Sequence, residues 1–145
     1  MEMISGSCRF GLWYVQVWWS GNQVARVRFS TAPLPGSVPP AFPRYLAGRT
    51  RTFSPLTSAA TDGDSLYARI YRIVGTIPYG RTATYGEIAA RAGTVPRVVG
   101  QAMSRNPTPL IIPCHRVVSL SGPGGFTPSV EIKIALHSLE RRNAE

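Results

Sequence analysis

Residues 84–118 read TYGEIAARAGTVPRVVGQAMSRNPTPLIIPCHRVV, and the interpretation of the whole chain turns on this stretch. Thr84-Tyr85-Gly86-Glu87 has the spacing of a capping box, in which the threonine hydroxyl and the glutamate carboxylate satisfy each other's orphan backbone amides. The spacing predicts a short helix that closes at Gly93. A second helix starts near Pro96 and carries Val99, Ala102 and Met103 towards Arg105. Joined by Gly93-Thr94-Val95, the two form a helix-turn-helix candidate, with an ordinary pair of core helices as the alternative. After Asn106-Pro107-Thr108-Pro109 the chain turns apolar. Leu110-Ile111-Ile112 predicts a buried strand or extended segment leading into Pro113-Cys114-His115-Arg116-Val117-Val118.

On the amino-terminal side, Asp64 or Ser65 can cap a helix carrying Leu66, Ile70, Ile73, Val74 and Ile77, weakened at Gly75 and ended by Pro78. Residues 10–19 and 23–29 form a hairpin around Ser20-Gly21-Asn22. In its second strand Ala25, Val27 and Phe29 alternate with Arg26 and Arg28, which makes one face wet and basic. Residues 31–43 are a proline-rich connector, and a short strand or helix is possible near Tyr45. On the carboxyl side a Gly/Pro-rich loop, residues 121–129, leads to a last helix with Ile132, Ala135, Leu136 and Leu139 on one stripe.

The 145 residues suit one domain, or two small ones sharing a core. A hydrophobic content of 43% with 16% charged residues excludes a disordered chain. Sixteen basic residues oppose seven acidic ones for a net charge of +9. Lys133 is the only lysine, and before Asp62 six basic residues face one acidic. Such an excess attracts polyanions, and a nucleic acid is the first candidate. Cys8 and Cys114, with two histidines, make no zinc motif. Met1 to Phe10 has no apolar run, and no stretch approaches the ~20 apolar residues of a membrane span. A reducing intracellular compartment is the expectation.

Cys114 adjoins His115 and Arg116. A thiolate is the reactive form of cysteine, and a histidine can take its proton near neutral pH. Neighbours in a regular strand point to opposite faces, so contact between them needs a turn or a bridging water. An inert buried thiol is the alternative. Glu140, in the last turn of the last helix, opposes the helix dipole. It is either a solvated surface residue or a carboxylate that holds the His115 imidazole.

Residues 97–118, from Arg97-Val98-Val99-Gly100 through Asn106-Pro107 to Cys114-His115-Arg116-Val117-Val118, closely resemble the active-site signature of the O6-alkylguanine-DNA alkyltransferases. The resemblance covers about residues 62–142. It implies an α/β (α+β) protein. A small ribonuclease-H-like sheet domain at residues 1–61 would join a helical domain at 62–145 containing a winged-helix-like helix-turn-helix. It implies irreversible, single-turnover transfer of an alkyl group from O6-alkylguanine in DNA to Cys114, after base flipping.

The residues carry over position by position. Cys114 matches the alkyl acceptor, His115 the base that activates it through a water, Glu140 the carboxylate behind that base, and Asn106 the brace of the site. Arg97 resembles the finger that fills the vacated stack, and Tyr85 the tyrosine that rotates the target nucleotide. Thr84, Gly100, Gln101, Ala102 and Arg105 fall at DNA-contacting positions. Pro109, Val117, Phe126 and Thr127 fall around the substrate pocket. The implied partner is double-stranded DNA held by its minor groove. The protein would be a monomer with no cofactor, no metal and no membrane contact, cytoplasmic and nucleoid-associated if prokaryotic.

Three departures stand out. Phe126 occupies the place of a tyrosine. Pro128-Ser129 replaces a Gly-Gly pair. The connection before Arg97 is about two residues short. A lesion reader without transfer, a helix-turn-helix regulator and a thiol hydrolase are the rival readings.

Overall fold

The computed structural model describes residues 2–144 as a mixed α/β fold. Strands β1 (Ile4–Phe10), β2 (Trp13–Ser20) and β3 (Gln23–Ser30) form an antiparallel meander, and the two-residue β4 (Thr57–Ser58) adds to β3 in parallel. The hairpin of the sequence reading is β2–β3; β1 was not foreseen, because Ile4–Phe10 is too polar for an alternating pattern.

One detail of β3 differs from the alternation read in the sequence. The register slips between Trp18 and Trp19, so Trp18 faces Arg26 and Trp19 faces Val24. Ala25 is the residue left over at this bulge and is exposed, while Val24 takes the inner face at 1% exposure. A bulge adds a residue and so reverses the parity of the strand before it.

The connector leads to α1 (Ala41–Leu46), which buries Phe42 and Tyr45. Helix α2 (Leu66–Val74) is capped by Ser65, whose hydroxyl accepts from the Ala68 amide at 3.0 Å. Ile77 lies beyond the helix end, yet is still buried. Helix α3 (Tyr85–Ala92) starts with the capping box: Thr84 and Glu87 exchange hydrogen bonds of 3.1 Å each. Gly93 ends it in the left-handed conformation (φ 74°), which only a residue without Cβ adopts at little cost. Helix α4 (Pro96–Ser104) follows, with Pro96 in its first turn.

Leu110-Ile111-Ile112, expected as a buried strand or extended segment, is instead a turn with Leu110 and Ile112 buried. Leu110 takes a positive φ of 79°, and the chain turns tightly into a 3-10 segment over Cys114–Arg116. The two-residue β6 (Val117–Val118) pairs in parallel with β5 (Ala83–Thr84). Helix α5 (Val130–Asn143) closes the fold. Ala135 is exposed; Lys133 is buried instead, together with Ile132, Leu136, Leu139 and Glu140.

Two hydrophobic cores result. One joins Val15, Val17, Val27 and Phe29 of the sheet to Phe42 and Tyr45 of α1 and to Ile132, Leu136 and Leu139 of α5. It therefore draws on both sides of residue 61. The other gathers Ile70, Val74, Ile88, Val99, Ala102, Ile112 and Val117 from α2, α3, α4 and the following segment. Leu110 belongs to the first core and Ile112 and Val117 to the second, so the chain on either side of Cys114 is anchored by buried contacts.

Candidate active site

Cys114 opens the 3-10 segment, its amide bonded to the Ile112 carbonyl at 2.7 Å. In a 3-10 helix successive side chains diverge by about 120°, so Cys114 and His115 face different neighbours. Cys114 is 6% exposed and lines a cavity of about 470 Å³. Tyr85, Gly100, Met103, Asn106, Pro109, Phe126 and Thr127 share the lining. Gly124 packs against the Tyr85 side chain: a Cβ there would sit 2.6 Å from the Tyr85 hydroxyl.

Asn106 ties the end of α4 to this segment. Its Nδ2 donates to the Ile112 carbonyl at 2.9 Å, and its Oδ1 accepts from the Thr108 amide at 3.0 Å. Burial pushes the Cys114 thiol up from its ordinary value; a hydrogen bond from Asn106 and the charge of Lys133 pull the other way.

The two residues that follow Cys114 belong to a buried polar cluster. His115 Nε2 and Glu140 Oε2 are 2.7 Å apart, with side chains 1% and 3% exposed. Arg116 donates to both Glu140 oxygens, Nε to Oε1 at 2.9 Å and Nη2 to Oε2 at 2.8 Å. The Gly80 amide donates to Oε1 at 3.0 Å, and the Tyr45 hydroxyl to Oε2. Arg116 also donates to the Ile77 carbonyl. Burial alone would raise the Glu140 pKa, but the hydrogen bonds from His115 and Arg116 hold it well below the usual carboxylate range. Burial lowers the His115 pKa despite the opposing pull of Glu140.

The 2.7 Å contact between His115 Nε2 and Glu140 Oε2 assigns the tautomer. An ionised carboxylate only accepts, so a neutral imidazole must donate to Glu140 through Nε2. Its Nδ1 is then a bare lone pair, and among the described residues it is a buried atom with no hydrogen-bond partner. A buried acceptor left unpaired is costly, and at a reactive site it marks a place for a proton.

Lys133 was not among the residues singled out by function. Its Nζ is held by the carbonyls of Val117 at 2.6 Å and Gly125 at 3.1 Å, and lies 5.7 Å from the centre of the Tyr85 ring. Burial lowers its pKa to about 8. The clue was available: it is the chain's one lysine and stands seven residues before Glu140, two turns along the same helix face. Replacing Lys133 with methionine should slow alkylation of Cys114 by iodoacetamide about tenfold below pH 8, the size of an effect from one nearby charge. Above pH 8 the native ammonium is itself discharged, and the two rates should converge. A constant ratio across that range would show that Lys133 only fills space.

The remaining expected residues divide. Arg97 and Gln101 are exposed on α4, and Gly100 is half-buried at the cavity. Thr84 spends its hydroxyl on the cap of α3, and Tyr85 lines the cavity. Arg105 is exposed and donates to the Tyr67 hydroxyl at 3.2 Å. Two positions are corrected. Ala102 is fully buried against α2, where its carbonyl accepts from the Tyr71 hydroxyl, so it does not face a ligand on the outer side of α4. Val117 is fully buried in the second core and does not line the cavity. Phe126 does line it, and packs edge-on against Phe29 of β3 at 5.6 Å between ring centres. Tyr45 and Arg116 complete the cluster without having been assigned a part in it.

Residues 65–142 match the family model described as 6-O-methylguanine DNA methyltransferase, DNA binding domain. The chain is 39% identical over 104 residues to the methylated-DNA--protein-cysteine methyltransferase of Sulfolobus acidocaldarius. That match covers 72% of this chain and 66% of the relative, just under two thirds of its length. Among solved structures, the O6-methylguanine methyltransferase of Mycobacterium tuberculosis superposes with a TM-score of 0.78 at 27% identity, covering 99% of this chain and 96% of that one. The OGT of the same organism in complex with DNA gives 0.76 at 28% identity, covering 94% and 92%.

Proposed function

Because the chain belongs to the 6-O-methylguanine DNA methyltransferase family, we propose that it repairs alkylated DNA by moving the alkyl group of O6-alkylguanine onto Cys114. The observation that carries this reading is a cavity of about 470 Å³ with Cys114 in its wall, next in the chain to a buried His115 whose Nδ1 has no hydrogen-bond partner among the described residues. A base inside a duplex cannot present its O6 edge to a buried sulfur. The nucleotide must rotate out, at a cost of roughly a few kcal/mol in lost stacking.

The exposed Arg97 of α4 fills the vacated space, and Tyr85 guides the rotating nucleotide. Gly100 lets α4 approach the minor groove closely, a role for which Ala102 is not available. The arrangement needs one copy of the chain per lesion.

In the cavity the thiol proton passes through a water to His115 Nδ1, and Glu140 stabilises the imidazolium that forms. The sulfur electron pair then forms a bond to the alkyl carbon while the bond from that carbon to O6 breaks. The departing electron pair stays on guanine, which takes up a proton from the imidazolium relay. Thr127, in the cavity lining, can donate to the guanine oxygen in place of the missing tyrosine hydroxyl at Phe126. The products are guanine and an S-alkylcysteine. The thiolate of an unactivated thioether is too poor a leaving group for water to displace, so each molecule acts once.

A reader that lacks an acceptor would have no use for a thiol in the pocket wall. After incubation with an oligonucleotide containing O6-methylguanine, intact mass spectrometry should find one added methyl per chain, mapped to Cys114. An unchanged mass beside a bound oligonucleotide would overturn the transfer and favour the reader.

A further inference from the structure

The outer face of the meander is built unlike the rest of the surface. Arg26 and Arg28 are exposed two residues apart on β3, and both guanidinium carbons lie 6.0 Å from the Trp18 ring of β2. Arg28 Nε also donates to Gln16 at 3.2 Å, and Gln16 is anchored in turn to the Ala32 carbonyl at 2.8 Å. On the neighbouring strand Arg9 stands over Tyr14 at 5.5 Å. Among the described residues no ion pair holds Arg9, Arg26 or Arg28, and before Asp62 the only acidic residue in the sequence is Glu2. Arginines held against aromatic rings have lost much of the freedom they would give up on binding, and a guanidinium fork matches a phosphate.

This face is continuous with the candidate active site. A groove of about 1000 Å³ has β3 as one wall, from Ala25 to Ser30, and Ser104 to Pro107 at the end of α4 as the other. Asn106, Pro109 and Thr127 line both this groove and the cavity of Cys114. A polyanion lying along α4 and leaving past its end would meet β3.

We propose that Arg26 and Arg28, braced by Trp18, form a second phosphodiester clamp for DNA flanking the segment that α4 engages. The proposal rests on the DNA-binding reading of the family site, not on alkyl transfer. Undamaged duplex therefore tests it, and a failure of transfer would leave it standing.

The measurement is the slope of log affinity against log salt, by fluorescence anisotropy, on undamaged duplexes of two lengths. Each neutralised phosphate contributes about 0.9 to that slope. On a duplex of about three helical turns, Arg26→Ala with Arg28→Ala should reduce its magnitude by about 1.8. On a duplex of about one turn, roughly 10 base pairs, the variant and the native protein should have equal slopes. The pair Arg26→Lys and Arg28→Lys, which keeps the charge, should restore most of the slope on the long duplex.

Equal slopes for the native and alanine proteins on the long duplex would overturn the clamp. So would an equal loss on the short one, which would put the arginines inside the α4 footprint. Native mass spectrometry supplies the last outcome. If the extra slope appears only when two copies occupy one duplex, the face joins copies of the chain and the clamp is wrong.

Discussion

Replacing Cys114 with serine should abolish alkyl transfer completely while leaving the binding of duplex containing O6-methylguanine little changed. An alcohol holds its proton far more tightly than a thiol, and His115, with its pKa already lowered by burial, is too weak a base to remove it. The substitution is nearly isosteric, and Cys114 makes no disulfide, so the cavity should persist. Intact mass reports transfer, and anisotropy reports binding. Were affinity to collapse along with transfer, the sulfur would be a packing element and the assigned chemistry would be wrong.

Replacing Glu140 with glutamine should cost about 3–5 kcal/mol of stability, the range seen when one member of a buried ion cluster is removed. The native carboxylate accepts from His115, Arg116, Gly80 and Tyr45. An amide has one oxygen to offer and points two N–H groups at the donors that remain. Arg116, 9% exposed, keeps its charge with no counterion at hand.

The acid limb of the stability curve should change as well. Glu140 has a depressed folded pKa, so its contribution is complete above the unfolded value of about 4.3 and is lost as pH falls below it. His115 acts at higher pH: its folded pKa is lowered, so the unfolded chain binds the extra proton and stability starts to fall below about 6.5. Urea titrations from pH 7 to pH 3 should show the native protein losing stability in both windows. The glutamine variant should lack the lower one. If both proteins lose stability in parallel below pH 4.3, the carboxylate is not held as described.

The parts of the fold written in local patterns were legible. Ser65, the Thr84–Glu87 box and Gly93 mark helix ends because each satisfies or terminates a backbone group within a few residues. The Cys114 signature pointed to the cavity for the same reason, since its elements are contiguous. What stayed hidden depends on residues distant in sequence. Tyr45 reaches Glu140 across 95 positions, and nothing around it announces a partner. The bulge that exposes Ala25 is set by how β2 and β3 register, not by either strand. Ala102 and Val117 looked like site residues because they sit inside the signature, yet packing turns them into the second core. The apolar run before Cys114 suggested a strand or extended segment, whereas Leu110 breaks it with a positive φ.

The burial of Lys133 decides how the molecule meets reagents and solvents. With the chain's sole ε-ammonium sealed inside at 0% exposure, no side chain offers a primary amine at the surface. Esters and aldehydes that label or crosslink proteins through lysine will find no side-chain handle until the fold opens, so their uptake at Lys133 becomes a clock for unfolding. The outer cationic coat is built of guanidinium groups alone, with no lysine ammonium among them. Alkaline buffers that strip lysine-rich proteins from polyanionic supports should leave this one attached.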